Sequence, residues 1–90
     1  MKQQLFNPGQ IVATPGAIEL AERGTNLHAF LRRHLTGDWG DLGEEDKQEN
    51  EFSLDNDFRI LSAYNTPAGR LWIITESDRS STCMLLPSEY

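Results

Sequence analysis

Arg70-Leu71-Trp72-Ile73-Ile74-Thr75-Glu76 is the one run in this chain where aromatic and β-branched residues follow one another without a polar break. A strand covered on both faces carries such a continuous run, whereas a half-buried strand alternates, so the run is expected to form the central strand of a small sheet. Phe58 to Tyr64 precedes it across Asn65-Thr66-Pro67-Ala68-Gly69, a connection with the length and turn residues of a hairpin. Ser81 to Leu86 follows it across Asp78-Arg79-Ser80, and Pro87 ends the pairing. The expected sheet is a three-stranded antiparallel meander, or a four-stranded one with Ile11 to Ala13 added at the edge.

The helices announce themselves by their ends. Thr14 is a capping residue followed by Pro15 at the first helical position, and Gly24 stops the helix that begins there near Arg23. Thr25 or Asn26 caps a second helix, in which Leu27, Phe30, Leu31 and Leu35 fall on one apolar stripe that also contains His34. Gly37 ends it. The loop from Gly37 to Gly43 holds three glycines in seven residues and Trp39, which is expected to fold back on the core with its indole N–H on backbone or Asp41. Glu44-Glu45-Asp46 suits a helix N-terminus, and a short third helix is expected through about Phe52, with Ser53 to Asp57 as a polar link. The fold class is α+β: two to three short helices packed on one face of the meander, as a single domain over 1–90.

Charge is unevenly placed. Asp38 to Asp57 holds nine acids (Asp38, Asp41, Glu44, Glu45, Asp46, Glu49, Glu51, Asp55 and Asp57) against Lys47 alone, so this 38–57 segment carries −8 of a net −6 and the rest of the chain is basic. Phosphate repulsion there argues against direct nucleic-acid binding, and Arg32 and Arg33 are too few to make a helix-turn-helix reading of Thr14 to Leu35 attractive. A protein partner with a basic surface is the better match. Cys83 is the only cysteine, which excludes an internal disulfide and a thiolate zinc cluster. No apolar stretch approaches the roughly 20 residues of a membrane span and no signal-peptide core is present at the start, so a cytoplasmic protein without membrane contact is expected.

Candidate chemistry is sparse. The spacing of Glu45 with Glu49 and of Asp46 with Asn50 would present two oxygens on one helix face, but it is common, and no metal or cofactor is expected. His34, Asp38, Asp46 and Arg79 are the catalytic candidates: a base, orienting acids and a phosphate-pairing fork. No glycine-rich phosphate loop or nucleophile elbow accompanies them.

Four blocks in order, Val12 to Ala17, Gly37 to Leu42, Glu44 to Glu51 and Ile74 to Ser80, resemble a family of small uncharacterised bacterial proteins carried on plasmids, prophages and other mobile elements, the "plasmid-related" proteins. The resemblance spans about Gly9 to Tyr90. It implies a small protein that acts on host or defence machinery. Together the residues point to a non-enzymatic interaction protein that binds a basic host or defence surface through Asp38, Asp41, Glu44, Glu45, Asp46 and Glu49. The alternative is a small RNA- or nucleotide-directed hydrolase using His34, Asp46 and Arg79. A homodimer is a further partner class to consider.

Overall fold

A computed structural model describes residues 3–90. The elements are β1 (Gln10–Ala13), α1 (Pro15–Glu22), α2 (Leu27–Leu35), α3 (Glu44–Asn56), β2 (Ile60–Thr66), β3 (Gly69–Thr75) and β4 (Ser81–Leu85), followed by a 3-10 turn at Pro87–Glu89. The fold is α+β, and β2, β3 and β4 form the expected antiparallel meander. The sheet, however, is four-stranded and mixed, in the order β1-β4-β3-β2, because β1 pairs parallel to β4. The four-stranded alternative with Ile11 to Ala13 at the edge is therefore the one observed, and the purely antiparallel expectation is corrected. No hairpin joins β1 to β4, so turn geometry does not set their relative direction.

Helix ends follow the sequence closely. The Thr14 hydroxyl accepts from Ala17 N–H at 3.2 Å and donates to the Glu89 carboxylate at 2.6 Å, which also accepts from Gly16 N–H at 3.0 Å. One carboxylate near the end of the sequence thus caps the first helix near its beginning, and this hydrogen bonding holds the Glu89 pKa below its ordinary value. Asn26 caps α2 through Ala29 N–H at 3.2 Å. The β2–β3 connection is tighter than expected: Thr66 still pairs with Gly69, leaving Pro67 and Ala68 as the turn. The Thr66 hydroxyl accepts from Gly69 N–H and donates to Gly69 C=O, which fastens the turn.

Register sorts the strand residues onto two faces. Tyr64, Leu71, Ile73 and Met84 face Ala17, Leu20 and Leu31 of α1 and α2, and this is the main core. Each such side chain contributes about 1.5 to 3 kcal/mol through the apolar surface it removes from water. Leu61, Ala63, Trp72, Ile74, Cys83 and Leu85 lie on the opposite face. The third helix does not join α1 and α2 over the main core, as a one-face arrangement would require; it runs beside the β2 edge. It also extends to Asn56 through the stretch expected to be a polar link. Ser53 and Asn56 bond back to the carbonyls of Glu49 and Phe52, and Asp57 ends the helix in the left-handed region at φ 54°.

Candidate functional site

An edge strand exposes a row of backbone donors and acceptors that invites foreign strands, and the 38–57 segment is built to close that row on β2. Ala63 N–H donates to Trp39 C=O at 3.2 Å and Asp41 N–H donates to Ala63 C=O at 2.6 Å, so the loop crosses the edge as a single parallel bridge at Gly40. Gly40 sits at φ +76°, and a Cβ there would lie 2.1 Å from Ala63 O. Only glycine fits. Two residues to either side, side chains complete the closure. Asn50 of α3 donates its amide N–H to Leu61 C=O at 2.7 Å and accepts from Leu61 N–H at 3.2 Å, imitating a strand. The Asp41 carboxylate accepts from Asn65 N–H at 2.9 Å.

This arrangement divides the nine acids into two groups. Asp38 pairs with Arg33 at 2.7 Å, raising the guanidinium pKa, and accepts from Gly40 N–H. Asp41 serves the β2 edge, and Glu51 accepts the indole N–H of buried Trp39 at 2.7 Å. These three carboxylates hold the loop and helix against the sheet. The Trp39 acceptor is therefore Glu51 rather than Asp41. Glu44, Glu45, Asp46, Glu49, Asp55 and Asp57, by contrast, form no hydrogen bond or ion pair through their carboxylates among the described residues, and all are exposed. They stand on a helix whose position is fixed by Asn50 and Trp39.

Beside these acids lies a groove of about 850 Å³ between α3 and the second face of the sheet. Its floor includes Leu61, Ala63 and Trp72, and Asp46 and Glu49 stand on the helix side. Phe52 and Phe58 stack at 5.8 Å, 13° from parallel, yet remain 56% and 54% exposed. The two arginines of the groove are engaged elsewhere. Arg59 donates to Tyr90 Oη at 2.6 Å and pairs with Glu76, while Arg70 donates to Asn65 and to Asp41 C=O. Trp72 meets Tyr90 edge-on at 5.6 Å, and its Nε1 is buried without an acceptor among the described residues.

The four catalytic candidates do not assemble. His34 has no exposed surface and lies between Phe6 and Trp39 at 5.4 and 6.0 Å. Its tautomer follows from its neighbours. Pro8 C=O can only accept, so Thr82 donates to it at 2.7 Å and accepts from Thr75; Thr75 then accepts from His34 Nε2–H at 2.9 Å. Burial keeps the ring neutral, so with its one proton on Nε2 the Nδ1 atom accepts from the Ser62 hydroxyl. Burial drives its pKa down to about 3. Arg79 is a clamp: its guanidinium donates to Phe58 C=O at 2.7 Å and Ser53 C=O at 2.9 Å, tying the end of α3 to the β3–β4 turn. Asp38 holds Arg33, and Asp46 borders the groove, which neither His34 nor Arg79 lines. Burial also raises the Cys83 thiol above its ordinary pKa, which keeps it protonated at neutral pH.

Sequence reading singled out the acids, with Trp39 and Phe52 as braces, but missed Phe58, Arg59 and Trp72 as neighbours; Phe52 is exposed rather than a brace. Asn50, suspected as an oxygen ligand with Asp46, instead uses both ends of its amide on Leu61. Among the described residues no three His, Cys, Asp or Glu side chains converge as a metal set, and no helix is long and apolar enough to cross a membrane. No family model, curated protein or solved structure matches the chain.

Proposed function

We propose that this protein is a non-enzymatic interaction protein that docks the exposed acids of α3 on a basic surface of a protein partner. The observation that carries this reading is the division of labour in the 38–57 segment. Asp38, Asp41 and Glu51 are bound into the fold, while Glu44, Glu45, Asp46 and Glu49 are left unpaired on a helix that the fold holds still. Charges carried on a fixed helix attract a complementary surface without a backbone ordering cost at binding. In keeping with the resemblance to mobile-element proteins, the partner is a host or defence protein. A hydrolase using His34, Asp46 and Arg79 has no comparable support, because its base is sealed and its arginine is occupied by backbone carbonyls.

A homodimer would use β1. The β2 edge is closed by Gly40, Asp41 and Asn50, whereas β1 is a bare edge strand with Ile11 and Val12 exposed. Sedimentation of the protein alone tests for it.

The triple variant Glu44→Gln, Glu45→Gln, Glu49→Gln tests the docking reading. Its circular dichroism should match the parent's, since exposed carboxylates contribute little to stability. The parent should retain a partner from host lysate at low salt and release it at raised salt, and the folded variant should retain none. Equal retention by both proteins would exclude α3 as the docking surface.

A further inference from the structure

We propose that the groove between α3 and the second sheet face takes an apolar side chain of the partner, so that the ligand is a basic segment with one aromatic or aliphatic anchor between its lysines or arginines. This rests on the docking reading and adds to it the chemistry of the bound segment. Three observations carry it.

Two phenylalanines more than half exposed, stacked on each other beside a concave apolar floor, form a contiguous patch rather than scattered surface residues. The charge around that patch is negative in effect. Arg59 is paired with Glu76, and the other charges lining the groove are Asp41, Asp46 and Glu49 against Arg70, so a cation beside the anchor meets a net negative lining in which Asp46 and Glu49 have no partner among the described residues. The two tryptophans also differ. Trp39 has given its N–H to Glu51, while Trp72 at the groove floor keeps a buried donor without an acceptor. A main-chain carbonyl of a bound segment would supply that acceptor. The same carboxylates that welcome lysine repel phosphates, and this sets a nucleic-acid ligand aside even though bases stack well on phenylalanine.

The test uses two synthetic peptides, a phenylalanine flanked by lysines and its serine counterpart, titrated against the whole protein by calorimetry with tryptophan emission recorded alongside. The phenylalanine peptide should bind about ten- to a hundredfold more tightly, the gain expected from burying one such side chain. Its binding should change the Trp72 emission. Phe52→Ser and Phe58→Ser, both at exposed positions, should each erase that ratio while leaving the salt dependence of binding intact; Glu49→Gln should weaken the salt dependence and leave the ratio. Equal affinity of the two peptides for the parent, or a ratio that survives Phe52→Ser and Phe58→Ser, overturns the groove while leaving acidic docking standing. Failure of the phenylalanine peptide to bind overturns it, as does a single-stranded oligonucleotide that displaces that peptide. A ratio that persists without any salt dependence would instead count against acidic docking and keep the groove.

Discussion

Acidification should destabilise this protein well above the pH at which its carboxylates protonate, and His34 is the reason. In the unfolded chain the imidazole titrates near 6.5, while in the folded chain burial lowers its pKa to about 3. Between those values the unfolded state binds a proton that the folded state does not, so each pH unit downward removes stability; the contribution is complete above 6.5 and is lost as pH falls toward 3. At about 1.36 kcal/mol per unit, moving from neutrality to about pH 4.5 should cost roughly 2.7 kcal/mol. That is a large share of a small domain's stability. Asp78 and Glu89 have lowered carboxylate pKa values and lose their contribution only at lower pH, which leaves the upper window to His34. The fall in net negative charge acts in the opposite direction and is common to parent and variant. Urea unfolding of the parent and of His34→Gln, followed by tryptophan emission across this pH range, reads the effect. The variant should be less stable at neutrality by about 1 to 3 kcal/mol, because Thr75 and Ser62 lose partners, but its pH slope should be nearly flat. If the parent is flat as well, or if its ring signals titrate near 6.5 by nuclear magnetic resonance, the sealed neutral histidine is wrong.

Asn50→Ala should cost about 1 to 3 kcal/mol in chemical denaturation by uncapping Leu61 at the β2 edge, and it should raise aggregation on heating. Trp39→Phe and Trp72→Phe should differ in thermal melts: the first loses the 2.7 Å bond to the Glu51 carboxylate and drops by about 1 to 2 kcal/mol, while the second removes a donor without an acceptor and stays within about 1 kcal/mol of the parent. Gly40→Ala should leave little folded protein by circular dichroism, because its Cβ would lie 2.1 Å from Ala63 O and its φ of +76° suits only glycine.

What could be read from the chain alone was local. The Arg70 to Glu76 run became β3, an interior strand, and Thr14-Pro15 and Asn26 capped the helices they were expected to cap. His34 was placed on the buried stripe by its spacing from Leu27 and Leu31, but its hydroxyl partners, Ser62 and Thr75, come from two strands and are not adjacent in sequence. The direction of β1 was not legible because no short turn ties it to β4. The length of α3 was hidden because Ser53, Asp55 and Asn56 are poor helix formers, and here Ser53 and Asn56 turn their side chains back onto the carbonyls of Glu49 and Phe52 within the helix. The groove was hidden for a related reason. Phe52 lies in α3 and Phe58 in the link beyond its end, and it is the left-handed turn at Asp57 that brings their rings together.

The central claim is that the unpaired acids of α3 act at a distance on a cationic ligand and do nothing for the fold. Stopped-flow association of the lysine-flanked phenylalanine peptide, at low and at physiological ionic strength, tests it most directly on the parent and on the Glu44→Gln, Glu45→Gln, Glu49→Gln variant. The parent on-rate should fall steeply as salt shortens the range of attraction, and the variant should associate slowly with little salt dependence. Equal on-rates and equal salt slopes in the two proteins would contradict the claim and leave the acids of α3 as solvated surface.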